Sequence, residues 1–212
     1  MLELKLLFKT FVAIFIIVDP IGGIPLFLSL TARESESQRR ATALKAVVAA
    51  FLVLAVFVLL GERILSFFQI SLGSFRVAGG ALLFIIALDM LQAKPRSTKS
   101  TPPEEEESRQ REDVALVPLA VPILAGPGAI TTVIVLSGGE SLQAKLIVLL
   151  ACALVMSSTL LIFTQASRIA RFLGHTGANL LVRIMGLLLS VIAVEYMVAG
   201  IKELFPGLGG QG

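Results

Sequence analysis

The sequence has little of what metal proteins and hydrolytic enzymes usually carry. Its 212 residues include one cysteine, Cys152, one histidine, His175, and only 16% charged residues. A single cysteine excludes an intramolecular disulfide and a cysteine-based metal cluster. We interpret His175, in a polar turn predicted at 174–179, as a surface residue. The patterns HExxH, GxSxG and CxxC and the phosphate-binding P-loop are absent, so the sequence predicts no enzyme activity, no metal and no cofactor.

The composition that remains is strongly apolar. Hydrophobic residues make up 56% of the chain, and the mean hydropathy is +0.90. This composition indicates an integral membrane protein, whose partner is the lipid bilayer. The net charge of +3 does not indicate a nucleic-acid partner, because basic residues in membrane proteins mostly mark the cytoplasmic ends of spans.

Six apolar segments are long enough to cross a bilayer, since about 20 helical residues span its hydrocarbon core. They lie at roughly 6–30, 43–61, 71–91, 114–137, 144–165 and 180–201. The connection at 93–113 carries two adjacent prolines and the acidic run Glu104–Glu107. We expect this connection to be a flexible charged loop.

The first apolar segment contains a motif that an uninterrupted helix does not tolerate, Val18-Asp19-Pro20-Ile21-Gly22-Gly23-Ile24-Pro25. Proline lacks an N–H and clashes with the preceding turn, whereas glycine gives the backbone extra freedom. The motif therefore predicts two half-helices joined by an unwound segment. Unwound backbone at membrane depth has to be buried in protein or line a wet cavity.

A second interrupted stretch lies in the fourth apolar segment, at Pro122-Ile123-Leu124-Ala125-Gly126-Pro127-Gly128-Ala129-Ile130-Thr131-Thr132. One constant offset aligns Asp19-Pro20 with Gly126-Pro127 and also aligns Arg76–Gly79 with Arg183–Gly186. We call this correspondence the repeat register. The chain therefore contains two halves, each built around one interrupted span.

Three spans per half is an odd number, so the second half has to enter the membrane from the opposite side. We predict an all-α membrane protein with six transmembrane helices as two inverted three-helix repeats, in which helices 1 and 4 are broken at mid-membrane. The repeats are 1–92 and 114–212, and the loop 93–113 joins them. Inverted repeats with broken helices are a recurrent plan of secondary transporters.

Asp19 is the residue of the first break that is most able to carry chemistry. A carboxylate at the bilayer centre costs on the order of 2.5–3.5 kcal/mol on insertion scales. Its functional interpretation is the binding of a coupling cation, a proton or the amino group of a substrate. Its structural interpretation is an N-cap of the second half-helix, with Pro20 at the first helical position. The two roles are compatible.

The second break has no carboxylate at Gly126-Pro127-Gly128, and its half-helix begins with backbone N–H groups at the positive end of a helix dipole. That end suits an anionic group such as a substrate carboxylate. Thr131 and Thr132 either add hydroxyl donors to this site or bond back to a carbonyl one turn earlier. Together the two breaks would match the two ends of a zwitterion.

A few further residues complete the set of candidates. Glu195 is expected deep in the last span, as an ion relay or a buried partner of an arginine, whereas Asp89 is expected near the interface. We interpret Gly79, Gly80 and Gly186 as sites of close helix packing. The candidate substrate- and ion-binding residues are Asp19, Pro20, Gly22, Gly23, Pro25, Gly126, Pro127, Gly128, Thr131, Thr132 and Glu195.

The distribution of basic residues predicts the orientation. The connections after spans one, three and five, with their flanks, hold twelve Lys and Arg residues, against six on the other side. Since basic residues accumulate on the cytoplasmic side, we predict that both termini are periplasmic and that the loop 93–113 is cytoplasmic.

The two broken stretches also resemble a known family. Asp19–Phe27 and Pro122–Ile130 are similar to the two signature stretches of the MarC family of bacterial inner-membrane proteins, and the similarity in length, span number and motif placement extends over nearly the whole chain. The resemblance implies a six-span protein of the bacterial inner membrane. It also implies transport, because some relatives are described as transporters of small neutral amino acids.

These observations predict a secondary transporter that moves a small neutral amino acid or similar small solute by alternating access, with a proton or a sodium ion as the coupling ion. The alternative is a scaffold or accessory subunit without transport activity, in which the broken helices only pack. An intramembrane enzyme has the least support, because there are few polar groups near the midplane.

Overall fold

The computed structural model of the protein describes residues 2–92, 124–138 and 141–209, and all regular structure in these ranges is helical. The helices are α1 (Leu2–Val18), α2 (Ile24–Leu30), α3 (Glu36–Phe67), α4 (Leu72–Leu91), α5 (Pro127–Ser137), α6 (Leu142–Thr164) and α7 (Ala166–Leu204), followed by a 3₁₀ turn at Pro206–Gly209. The acidic run Glu104–Glu107 and the first part of the fourth apolar segment lie outside the described residues.

Serine residues define where three of the long helices begin. The hydroxyl of Ser35 accepts the N–H of Gln38, and the Gln38 side chain in turn accepts the N–H of Ser35. Ser71 and Ser141 cap α4 and α6 in the same way, by accepting the N–H of the third residue that follows. These bonds satisfy N–H groups that have no partner within a first helical turn.

Four helices are long and apolar enough to cross a membrane: α3, α4, α6 and the Thr176–Leu204 part of α7. Only 22% to 39% of the most apolar window in each is buried, so most of their apolar surface faces outward. A water-soluble protein rarely exposes apolar surface on this scale, whereas a bilayer covers it. The chain is therefore a multi-pass integral membrane protein. The broken first span and the short α5 add apolar helices to these four.

The segment that leads into the last span differs from the prediction. Instead of a polar turn at 174–179, helical structure runs through this segment, and α7 bends at Gly174. Gly174 has a φ of 61°, in the left-handed region that glycine adopts without steric cost. The predicted turn is thus shortened to a kink at Gly174, because a single glycine in the left-handed region redirects the chain and the residues after it are helical. The side chain of His175 is outside the described part of the structure.

Small residues let α4 and α7 pack closely along their length. A Cβ atom on Gly80 would lie 2.7 Å from the carbonyl oxygen of Ala193, and one on Gly186 would lie 2.8 Å from the Cβ of Met90. Both distances are shorter than a side chain allows. The predicted packing role of Gly80 and Gly186 is confirmed.

Polar contacts at the ends of the helices show how α3 and α6 run. Arg39, in the first turn of α3, donates a hydrogen bond to Ser167, just beyond the end of α6. At the other end of α3, Glu62 pairs with Lys145 in the first turn of α6. The two helices are therefore antiparallel, and the chain segments 31–45 and 165–171 lie at the same end of the bundle.

Candidate functional site

The first break is present where the sequence predicts it. Helix α1 ends at Val18, α2 begins at Ile24, and Asp19 between them has a φ of 46°. Aspartate is one of the few residues with a Cβ that visits this left-handed region. The Asp19 carboxylate is 2% exposed, and its Oδ1 accepts the backbone N–H of Gly22 at 3.0 Å. Asp19 therefore caps the turn that precedes α2 and not α2 itself, whose N-cap is Gly23 and whose first-turn proline is Pro25. The predictions of Asp19 as the N-cap of the second half-helix and of Pro20 at its first position are wrong, because the turn extends to Gly23 before the helix begins.

The glycines of this break act through close approach rather than through unusual backbone angles. Neither Gly22 nor Gly23 has a positive φ. A Cβ atom on Gly22 would lie 2.1 Å from Oδ2 of Asp19, whereas one on Gly23 would lie 3.4 Å from the ring of Phe163. Gly22 therefore leaves the space that the Asp19 carboxylate occupies. The idea that these glycines relax the backbone is corrected, because Asp19 itself takes the left-handed conformation.

An aromatic pair fixes the second half of the first span. Phe27 of α2 and Phe163 of α6 are both fully buried, and their rings stack with centroids 4.5 Å apart. Stacked aromatic rings contribute about 0.5–1.5 kcal/mol beyond the area they bury. The pair holds the short helix α2 against the long helix α6. Such support is required because a helix of seven residues is not stable in isolation.

The second break shares one backbone hydrogen bond with the first, but its helix begins earlier in the repeat register. Helix α5 begins at Pro127, directly after Gly126, which is in an extended conformation. The N–H of Ile130 bonds to the carbonyl of Gly126, and the N–H of Gly23 bonds to the carbonyl of Asp19. The two donors correspond in the repeat register, and so do the two acceptors. The two positions differ in φ, which is −65° at Gly126 and positive at Asp19.

The two threonines after the second break have separate partners. The hydroxyl of Thr132 donates to the carbonyl of Gly128 at 2.9 Å, which is the back-bonding interpretation. The methyl group of Thr131 faces α4, where a Cβ atom on Gly79 would lie only 2.0 Å from it. Both threonines are buried. Gly79 was expected to pack helix against helix, and it does so against a residue of the candidate site.

The fold brings the two breaks into contact. A Cβ atom on Gly128, at the start of α5, would lie 3.4 Å from the side chain of Ile17, two residues before Asp19. The same atom would lie 3.0 Å from Leu83 and 3.2 Å from Ile86 of α4. The end of α1 and the start of α5 therefore meet over the middle of α4, with aliphatic side chains between them.

The other predicted residues are more scattered. Pro20 is buried beside Asp19, and Pro127 is exposed. Pro25 is also exposed and lines an apolar cleft of about 330 Å³ between α2 and the bend of α7. Glu195 is exposed on α7, so the expectation that it is a buried partner of an arginine is not met.

Two residues near the breaks were not predicted as part of the site. Phe163 forms one wall of the first break, and no local pattern marks it within its apolar span. The hydroxyl of Tyr196 is buried and makes no hydrogen bond with the described residues, although Thr132 lies beside it. Its only signal in the sequence is that it is the single tyrosine of the chain.

Comparison with known proteins agrees with this architecture. A family model described as MarC family integral membrane protein matches residues 4–205. The chain is 40% identical to the UPF0056 membrane protein YvbG of Bacillus subtilis, covering 93% of this chain and 95% of the relative. It is also 40% identical to the UPF0056 membrane protein YhcE of Escherichia coli, covering 95% and 94%.

Similar proteins also occur in archaea. A UPF0056 membrane protein of Archaeoglobus fulgidus is 39% identical over 201 residues, which cover 94% of this chain and 94% of the relative. No solved structure matches the chain. Since the family model and the relatives extend across both broken spans and the long helices around them, the chain belongs to the MarC family of integral membrane proteins.

Proposed function

We propose that the protein is a secondary transporter of small neutral amino acids or similar small solutes, and that it works by alternating access around the two breaks. In this proposal it is not an enzyme. It lies in the plasma membrane, which is the inner membrane of a bacterium, and both termini face the periplasm. Six spans form two inverted repeats, 1–92 and 114–212, joined by the segment 93–113.

The observation that carries the proposal is the contact between the two breaks. Ile17 of the first break and Gly128 of the second are neighbours, although they are far apart in the sequence. Interrupted helices place polar backbone groups and a carboxylate deep in the bundle. Burying these groups in a membrane costs free energy that an uninterrupted apolar helix does not lose. Transporters use paired breaks of this kind as the binding site.

The inverted repeat is supported by two symmetric sets of contacts. One backbone hydrogen bond of each break, from Gly23 to Asp19 and from Ile130 to Gly126, falls at the same positions of the repeat register. In the α4–α7 interface, Gly80 lies against Ala193, and Gly186 lies against Ala87. In the repeat register, Gly80 corresponds to position 187, which is next to Gly186. Ala193 corresponds to position 86, which is next to Ala87. The two pairs are therefore related by the repeat register to within one residue, which supports a two-fold axis between the repeats.

The substrate class follows from the polar groups at the two breaks. The Asp19 carboxylate would balance an ammonium group, a proton or a sodium ion. The first N–H groups of α5 would donate hydrogen bonds to a carboxylate, because they carry the positive end of a helix dipole. The residues at this contact are aliphatic, such as Ile17 and Leu83, so a site that opens between the breaks during alternating access would suit a small neutral side chain.

One observation favours the second candidate, a scaffold or accessory subunit without transport. The Asp19 carboxylate is already used to cap Gly22, and the space between the breaks is filled by Ile17. A protein in which the breaks only pack would have the same contacts. Flux measurements separate the two candidates.

The test is uptake of a panel of radiolabelled amino acids and other small solutes into proteoliposomes, with and without a proton or sodium gradient. We expect gradient-dependent uptake of at least one small neutral amino acid by the parent. The variant Gly126→Leu should lose it, because it fills the buried start of α5. Gly207→Leu is the matched control, since nothing lies within 4 Å of a Cβ at that position. Absence of flux across the panel would leave the scaffold as the function.

A further inference from the structure

A strongly basic pocket lies at the end of the bundle where α3 begins and α6 ends. It has a volume of about 600 Å³, and four arginines line it: Arg39 and Arg40 of α3, and Arg168 and Arg171 of α7. Among the lining residues that the structure describes, Glu36 is the one carboxylate. We call this cavity the basic pocket. It shares Phe163 with the wall of the first break, but neither Ile17 nor Gly128 lines it.

The charges of the basic pocket are mostly unpaired. Arg40 pairs with Glu36 at 2.7 Å on the exposed side of α3. Arg168 donates to the neutral side chain of Gln165. Within the described ranges, neither Arg168 nor Arg171 has a carboxylate within ion-pair distance. The pocket therefore carries a surplus of positive charge.

Arg39 is the most constrained of the four arginines. Its two terminal nitrogens donate to the hydroxyl of Ser167 and to the carbonyl of Thr31, each at 3.2 Å. Its Nε is buried and has no hydrogen-bond partner among the described residues. Because this Nε is shielded from solvent, only the remaining N–H groups on the terminal nitrogens of Arg39 can face an anion in the pocket.

The opposite end of the bundle is built differently. There, Arg76 pairs with Glu203, and Lys145 pairs with Glu62. Both pairs join separate helices and are partly buried. At that end, the described basic residues named here are neutralised by carboxylates of neighbouring helices. In the basic pocket, most arginines have no such carboxylate among the described residues and can bind an external anion.

The depth of the basic pocket is that of lipid headgroups. Helix α6 ends at Thr164, next to the pocket, and α3 is polar from Glu36 to Thr42 before its apolar part begins. The arginines thus stand where the apolar helical surfaces end. Basic pockets between helices at this level suit anionic headgroups, and the planar guanidinium matches phosphate oxygens with two parallel hydrogen bonds.

We propose that the basic pocket binds the phosphate group of an anionic phospholipid, with Arg39, Arg168 and Arg171 as its donors. The chemistry recognised is a phosphate ester with a net negative charge. A lipid supplies this group at the right depth, and its acyl chains remain against the apolar surface of the bundle. Binding holds the start of α3 and the start of α7 together.

The test uses the full chain in detergent, with the dissociation constant Kd measured by native mass spectrometry. The probes are dioleoylphosphatidylglycerol, the zwitterionic dioleoylphosphatidylcholine, glycerol 3-phosphate and inorganic phosphate. The site variant is Arg168→Gln with Arg171→Gln, both exposed and replaceable without loss of a buried contact. The control variant is Arg63→Gln with Lys202→Gln, which removes the same charge from exposed positions elsewhere.

We expect saturable binding of phosphatidylglycerol and a Kd about 30-fold higher in the site variant, the factor for losing two basic side chains. The control variant should change the Kd less than threefold, and phosphatidylcholine should bind the parent at least tenfold more weakly. An unchanged Kd in the site variant, or an equal loss in the control, would overturn the proposal. Equally tight, arginine-dependent binding of glycerol 3-phosphate or inorganic phosphate would assign the pocket to a soluble phosphate and remove the lipid.

Discussion

Asp19 shapes the first break with its backbone and its side chain at once. Its left-handed φ turns the chain out of α1, and its Oδ1 accepts the N–H of Gly22 in the turn that precedes α2. Pro20 follows and disfavours an ordinary helical conformation at Asp19. These three effects act within one turn, so the position tolerates few side chains.

The first prediction separates the structural role of Asp19 from a role in transport. Asn also tolerates a left-handed φ and caps about as well as Asp, so Asp19→Asn should fold like the parent. Asp19→Ala should lower the free energy of unfolding by about 2 kcal/mol, about 1 from the lost cap and about 1 from the strained φ. Unfolding in detergent measures both effects.

Transport should respond differently to the same two variants. If Asp19 binds a proton, a cation or a substrate ammonium, Asp19→Asn loses gradient-driven uptake while it keeps its stability. A neutral amide neither titrates nor balances a positive charge. Equal initial rates for the parent and Asp19→Asn, at equal incorporated protein, would leave Asp19 as a structural residue only.

The second prediction concerns the two adjacent glycines of the break. Gly22→Ala should destabilise the protein by about 1–3 kcal/mol, because the new Cβ overlaps the Asp19 carboxylate. Gly23→Ala should cost less than about 1 kcal/mol, because its nearest neighbour is a ring atom at 3.4 Å. The two changes add the same atom, so the difference between them reports the overlap.

A double-mutant cycle checks the cause. In an Asp19→Ala background the overlapping oxygens are gone, so Gly22→Ala should cost little there. An equal cost of Gly22→Ala in both backgrounds would show that the carboxylate is not what Gly22 accommodates.

Between the helices, the contact of α4 with α5 is the tightest one that involves a candidate site residue. Gly79 of α4 leaves room for the methyl group of Thr131, and Gly128 of α5 leaves room for Leu83 of α4. Each of the two helices, α4 and α5, thus has a glycine against which a side chain of the other helix packs. This arrangement sets how far the start of α5 stands from α1, and therefore the distance between the two breaks.

The third prediction tests this contact. Gly79→Ala should lower the free energy of unfolding by about 1–3 kcal/mol and weaken uptake, because the new Cβ would lie 2.0 Å from the Thr131 methyl. Adding Thr131→Ser removes that methyl and should restore most of the stability. Adding Thr131→Val keeps a methyl group there and should not. Restoration by both substitutions alike would mean that the loss arises elsewhere.

Over the whole molecule, polar contacts and charge define two different ends. Basic side chains gather around the basic pocket, whereas ion pairs between helices close the other end. In a membrane, the end with the surplus of basic residues is expected on the cytoplasmic side.

The fourth prediction is the orientation itself. Cysteines are introduced as Ser100→Cys and Gly210→Cys in a Cys152→Ser background, which removes the single native thiol. A membrane-impermeant thiol reagent applied to intact cells should label position 210, while position 100 should react only after lysis. The reverse labelling pattern would place the termini in the cytoplasm and invert the proposed topology.

Local sequence was sufficient for the helical and membrane character of the chain and for the positions of both breaks. The apolar length of a span and the missing N–H of Pro20 and Pro127 act on neighbouring residues, so a linear pattern reveals them. The repeat register was predicted from local landmarks in the same way, and the inverted repeat stays a prediction. The matched hydrogen bonds of Gly23 and Ile130 agree with it.

The partners of these elements depended on the tertiary structure. The stack of Phe27 on Phe163, the approach of Gly79 to Thr131 and the exposure of Glu195 join or separate residues that are distant in sequence. In a span where nearly every residue is apolar, no periodicity shows which face meets protein and which meets lipid. Only packing decides that, because side-chain contact is a property of neighbouring helices and not of the helix that carries the residue.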